Sequence, residues 1–218
     1  MTKETQKKFY IAIGLLAAFV LWTVAICFVD VQSIGPRGSS VGFATLNGAF
    51  HRLTGVHMTL YHITDWLGLV PVAIGLGFAM LGLVQWIGRK GLLKVDGSIL
   101  VLGGYYLLMA AVYLLFEEVV INRRPVLIEG YLEASYPSST TMLVLCVMPT
   151  ALMQLQGRIQ NKVLRSSVCT AIIAFIAFMV IGRLISGVHW LTDIVGGILL
   201  CGGLVILYDA FCHLVSQK

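Results

Sequence analysis

The stretch Ile181–Ile194, IGRLISGVHWLTDI, carries the charge pattern on which the reading of the whole chain turns. Arg183 is followed by five residues, then His189, then three residues, then Asp193. If His189 opens a helix, Asp193 lies one turn later on the same face, so the two side chains can meet. A carboxylate beside imidazole fixes its tautomer and raises its basicity. Arg183 adds a permanent cation whose planar fork of donors suits a phosphate. A nucleophile, an orienting acid and an oxyanion clamp thus fall within one short stretch. It lies between two apolar segments, where ionisable groups are costly and are more often functional than not.

Working outward, the 218 residues are 58% hydrophobic and 11% charged, with a mean hydropathy of +0.91. Soluble domains carry about 25% charged residues, so the chain reads as an all-α integral membrane protein whose first partner is the bilayer. The net charge of +5 then records orientation and headgroup contact, and no nucleic-acid partner is expected. Cys27, Cys146, Cys169, Cys201 and Cys212 lie in apolar segments without metal-like spacing; they read as buried thiols with no disulfide. His57, His62 and Asp65 make only a weak ligand set on an irregular stretch, so no metal and no cofactor is expected. The N-terminus, MTKETQKKFY, leads into a retained first span rather than a signal peptide.

Apolar runs of about 20 residues, the length that crosses a bilayer, divide the chain. They are Phe9–Val29, Trp66–Ile87 with Pro71, Ile99–Phe116 continuing towards Val120, Ser138–Met153 with Pro149, Val168–Gly182 and Trp190–Tyr208. Six spans put both termini on one side. Between the first two, Asp30–Asp65 is turn-rich and then moderately apolar, which suggests an interfacial helix leading into the second span. The architecture is a six-helix bundle forming a single transmembrane domain over 1–218. Lys3, Lys7, Lys8, Arg89, Lys90, Lys94, Arg158, Lys162, Arg165 and Lys218 fall on one side; Arg37, Arg52, Arg123, Arg124 and Arg183 fall on the other. The excess marks the first side as cytoplasmic, so the candidate chemistry faces outward from a cell membrane. Gly196, Gly197, Gly202 and Gly203 suggest close helix packing within one chain or between copies in a homo-oligomer.

On the outer side three stretches should meet: EEVVINRRP (Glu117–Pro125), YPSSTT (Tyr136–Thr141) and the Arg183–Asp193 stretch. Proline followed by Ser138, Ser139, Thr140 and Thr141 suits the first turn of a helix, where free N–H groups and hydroxyls point at an anion. Arg124 and Arg183 would add charge from two other directions.

This arrangement resembles the type 2 phosphatidic acid phosphatase family, which shares its fold with the vanadium haloperoxidases. The family's third signature, Ser-Arg-x5-His-x3-Asp, is matched from Gly182 to Asp193 with glycine for serine. Its first, Lys-x6-Arg-Pro, is matched at Arg124-Pro125, with Glu117 where the lysine belongs. Its second, Pro-Ser-Gly-His, is matched at Pro137-Ser138, with Ser139 for glycine and Thr140 for histidine. The resemblance covers roughly Ile99 to Tyr208.

The resemblance implies a membrane lipid phosphate hydrolase. His189 would attack phosphorus to form a phosphohistidine, Asp193 would hold it, and Arg124, Arg183 and Ser138 would stabilise the transition state, with Ser139 and Thr140 beside them. In the family the histidine of the second signature protonates the leaving oxygen, a task for which Thr140 has no useful pKa. Three readings stay open. The substrate is a polyprenyl pyrophosphate, whose phosphate leaving group needs little protonation; or Glu117 or Glu118 is the acid; or the protein binds or moves a phosphorylated lipid without hydrolysing it. Phosphotransfer to another acceptor would use the same site. Glu117 also removes a cation from the cradle, and Arg123 is the candidate to restore it.

Overall fold

The structure, a computed structural model, describes residues 1–216; Lys218 lies outside them. Among the described residues eight α-helices follow one another: α1 (Lys3–Phe28), α2 (Ala44–Thr54), α3 (Met58–Leu67), α4 (Leu69–Arg89), α5 (Gly97–Glu118), α6 (Ser139–Arg158), α7 (Lys162–Ile185) and α8 (Leu191–Ser216). Taking α3 and α4 as one segment, six are long and apolar enough to cross a membrane. The chain is an all-α, multi-pass membrane bundle. In their most apolar stretches α6 and α8 are 50% and 56% buried, against 17–22% for the other four spans. The two helices that carry the second and third motifs are therefore the centre of the bundle. Around them stand helices whose exposed Val, Leu, Ile and Phe side chains suit hydrocarbon.

The second span departs from expectation. It begins at Met58, not Trp66, because α3 runs into α4 with a break only at Gly68. Pro71 explains the break: it has no N–H to offer the carbonyl of Leu67, four residues back. Thr59, His62, Thr64 and Asp65 dilute the apolar signal of α3, and Tyr61 and Thr64 turn inward and are buried. Only α2 remains as the separate helix between the first two spans.

Small residues set the spacing between the central and outer helices. A Cβ on Gly203 would come within 2.8 Å of Leu16 and 3.3 Å of the Ala12 carbonyl oxygen, so glycine lets α8 close against α1. A Cβ on Gly196 would overlap the ring of Tyr136. Tyr136 stacks at 6.1 Å on Phe19 and meets Phe116 edge-on at 5.8 Å, which locks the second-motif loop between α1, α5 and α8. Its hydroxyl lies 2.6 Å from that of Thr23, and Trp22 Nε1 donates to the Thr192 carbonyl at 3.1 Å. The glycines of the last span thus serve packing within the chain.

The direction of each helix puts the loops 29–57, 119–138 and 186–190 at one end of the bundle, and 90–96 and 159–161 at the other with the N-terminus. At this second end Asp96 pairs with Arg89 at 2.8 Å and Arg158 at 3.2 Å, tying α4, α5 and α6 together. These arginine partners hold its carboxyl below the usual range.

Candidate functional site

The first and third motifs come together because the loop after α5 folds back on itself. Glu129 and Gly130 take positive φ values of 50° and 84° and reverse the chain. Arg124 N–H then donates to the Glu133 carbonyl at 3.1 Å, and Ser135 N–H to the Asn122 carbonyl at 2.9 Å. This returns Ser135 and Tyr136 to the side of Asn122 and Arg124. Between α7 and α8 the chain reverses at Gly187, φ +70°, packed so close to the Gly55 carbonyl that a Cβ would collide with it. His189 follows that turn, 3% exposed, and Asp193, fully buried, sits in the first turn of α8.

Asp193 has two duties. Its Oδ2 accepts the N–H of Trp190 at 2.9 Å, which satisfies one of the free donors at the start of α8. It also faces the imidazole, but His189 Nδ1 lies 3.8 Å from Oδ2, beyond a hydrogen bond. The expected direct pairing is therefore replaced by a bridge: the Ser135 hydroxyl donates to Asp193 Oδ2 and sits 3.1 Å from His189 Nδ1. The Ser135 carbonyl is also 3.1 Å from Nδ1. On the other ring nitrogen, Arg124 Nη1 is 3.3 Å from Nε2. A guanidinium can only donate, so Nε2 carries the lone pair and Nδ1 the proton. Burial holds His189 neutral, with its pKa lowered to about 4; Asp193 opposes that shift only in part. The result is a neutral imidazole whose Nε2 lone pair faces Arg124.

Arg183, in the last turn of α7, is 1% exposed and lies 4.8 Å over the ring of Tyr61. Its Nη1 reaches the Tyr61 carbonyl and the Thr64 hydroxyl at 3.4 Å each, and its Nη2 is 3.5 Å from Asp65. Arg124 approaches the same ring at 5.9 Å, with Nε 3.0 Å from Glu133 but without hydrogen-bond alignment. Two guanidiniums thus flank one aromatic ring, each close to a carboxylate. Arg123 belongs elsewhere: it donates to the Leu132 carbonyl at 2.9 Å and braces its own loop rather than the cradle.

Ser138 precedes the first turn of α6, yet its side chain does not cap the helix. Its Oγ, the Thr141 hydroxyl, Arg124 Nε and Arg183 Nε are all buried with no hydrogen-bond partner among the described residues. Buried polar atoms without partners are rare, and these lie on the residues of all three motifs, as donors suited to an oxyanion. The backbone N–H of Ser138 is drawn towards the Asp193 carbonyl at 3.4 Å, so of that residue the hydroxyl is the freer donor. Glu117, Ser139, Ser135 and His189 line one small cleft. Asp65, Ser139 and Thr140 line the polar end of a larger cavity of about 390 Å³, whose other walls are Leu69, Val72, Met109 and Leu143.

Several supporting residues carried no sequence signal. Asn47 of α2 donates to the Gly42 carbonyl at 2.8 Å and to Thr192 Oγ1 at 3.0 Å, and accepts the Thr192 N–H at 3.2 Å. Asn122 reaches Asp193 Oδ1 at 3.4 Å. Ser135 offered one hint, standing immediately before the Tyr-Pro-Ser run.

A buried neutral histidine, a bridged aspartate and two arginines thus lie at one end of a six-span bundle. The PAP2 superfamily profile matches residues 78–214, and the chain belongs to that superfamily. Among solved structures it is similar to one described as the first transmembrane PAP2 type phosphatidylglycerolphosphate phosphatase from Bacillus subtilis. The two share 21% identity and a TM-score of 0.56, over 96% of this chain and 98% of that one. No curated protein sequence matches it. Superfamily and site together make the protein a phosphoric ester hydrolase of the membrane.

Proposed function

We propose that the protein hydrolyses a lipid phosphate at the outer face of the cell membrane through a phosphohistidine, with a polyprenyl pyrophosphate as its preferred class of substrate. The observation that carries this is the Nε2 lone pair of His189 facing Arg124 3.3 Å away, in the place a phosphoryl group would take between them. A phosphoryl group bound by Arg124, Arg183 and the hydroxyls of Ser138, Ser139 and Thr140 would present its phosphorus to that lone pair. As the Nε2–P bond forms and the bond to the leaving oxygen breaks, charge builds on the equatorial oxygens, where the arginines and hydroxyls stabilise it. The ring becomes cationic, and the Ser135 carbonyl and the Ser135-bridged Asp193 carboxylate offset that charge. Water then attacks phosphorus, the P–N bond breaks and phosphate leaves. Glu117, which lines the same cleft as His189, would take the proton from that water.

The cavity of about 390 Å³ would receive the hydrocarbon chain, which enters from the bilayer. The pyrophosphate preference follows from Thr140, since a phosphate is a better leaving group than an alkoxide. Outward orientation is supported by the basic residues, which gather at the end opposite the site. The test is phosphate release by the purified protein in vesicles. Wild type should turn over a prenyl pyrophosphate and His189→Ala should not; equal rates would remove the enzymatic reading. Lipid binding dependent on Arg124 and Arg183, without release by either protein, would favour a binder, the outcome that Thr140 and Glu117 would then explain.

A further inference from the structure

The superfamily's proton donor is missing at Thr140, yet a lipid monoester would still leave as an alkoxide. We propose that Asp65 of α3 supplies that proton, acting as the general acid for the leaving oxygen; this rests on the hydrolase reading above.

The argument begins with where the leaving group must go. The leaving oxygen is attached to the hydrocarbon chain, so it lies at the mouth of the cavity that takes the chain. Asp65 and Thr140 both line that cavity, among its few polar residues. The helices that carry them touch there: a Cβ on Gly68, three residues after Asp65, would sit 3.6 Å from Thr140 Cγ2. A carboxyl on α3 therefore stands beside the position from which the histidine is absent. Two other acids are near but differently placed. Glu117 is on the His189 side, in a cleft of about 10 Å³, room for no more than about one water. Glu133 pairs with Arg124 and does not line the chain cavity.

Asp65 also adjoins the phosphate site. Its carboxylate lies 3.5 Å from Nη2 of Arg183, one of the groups that would hold the phosphate, and its side chain is 54% exposed. A phosphoryl group held by Arg183 would therefore lie within reach of the Asp65 carboxyl. The step then balances. Nε2–P forms and P–O breaks, the electron pair stays on the lipid oxygen, and that oxygen receives the proton of Asp65. Solvent reprotonates the carboxylate before the next turnover.

The test compares leaving groups. General acid catalysis contributes roughly 10²- to 10⁴-fold, and only where the leaving oxygen needs a proton. Asp65→Asn should lower kcat on a long-chain alkyl phosphate by at least about 100-fold more than on p-nitrophenyl phosphate, whose phenolate leaves unaided. Asp65→Glu should keep much of the alkyl phosphate activity, and T140H in the Asp65→Asn background should restore it. Equal losses on both substrates would overturn the proposal, because Asp65 would then only hold Arg183. Tighter binding with unchanged kcat would also overturn it, leaving Asp65 as a mere competitor for the arginine. His189→Ala separates the two levels: turnover of either substrate by that variant would defeat the hydrolase reading itself.

Discussion

At the scale of residues, the charge state of His189 is fixed before any substrate arrives. Burial holds its pKa at about 4, below the ordinary value of about 6.5. The imidazole is therefore neutral, and nucleophilic, through the neutral and mildly acidic range. Protonation destroys the lone pair, so kcat/KM should fall only as pH drops through about 4, not through the usual histidine range. Ser135 is the residue to change against this background. It joins Asp193 to Nδ1 across a gap of 3.8 Å, and a hydrogen bond to a charged group contributes about 1.5–3 kcal/mol. Ser135→Ala should lower kcat roughly 10- to 100-fold, with substrate binding little changed. Asp193 was legible in the sequence because helical spacing from His189 is a local rule. Ser135 was not, because its partners lie more than fifty positions away and serine is an ordinary loop residue.

Among the elements, α2 and α3 carry no superfamily motif yet complete the site from beneath and from one side. The sequence showed α2 as an interfacial helix but not what it holds. Asn47 places both ends of its amide on Thr192 and the Gly42 carbonyl and so fixes the start of α8. Removing it leaves buried donors and acceptors unpaired, at about 1–3 kcal/mol. Asn47→Ala should lower the thermal unfolding midpoint in detergent and reduce activity, whereas a change at the exposed Leu53 of the same helix should do neither. α3 was hidden by its own chemistry: Thr64 and Asp65 weaken the hydropathy of a span, and they are the side chains that meet Arg183. The six spans themselves were readable, because length and apolarity suffice to find a membrane helix. Their ends were less so, since helices run on past the apolar stretch into polar caps such as Asn161, whose side chain accepts from Val163 and Leu164 N–H.

On the scale of the whole molecule, two cavities lie along the seam between α4 and α5. One is the chain cavity beside Thr140; the other, about 420 Å³, is lined by Phe78, Gly82, Leu100, Gly103 and Leu107. A chain too long for the first would extend along this seam towards the second. No atom lies within 4 Å of where a Cβ on Gly103 would be, so Gly103→Leu introduces a side chain that narrows this cavity and improves helix propensity by about 1 kcal/mol. Turnover of a long polyprenyl substrate should fall several-fold while a short-chain phosphate is unaffected, which a chain-length series would read directly. Which spans part to leave such room was not legible, because every outer helix is apolar on all sides.

Through Thr23 and Trp22, α1 holds the Tyr136 loop and the start of α8, although most of its own surface meets lipid. A thicker or thinner bilayer changes the tilt of such a helix, and here the tilt is coupled to the loops that carry Ser135 and His189. Turnover in vesicles should therefore track the acyl length of the host phospholipid, with an optimum at one thickness. Replacing Thr23 by valine should flatten that dependence, making this first helix a mechanical sensor of the membrane in which the enzyme works.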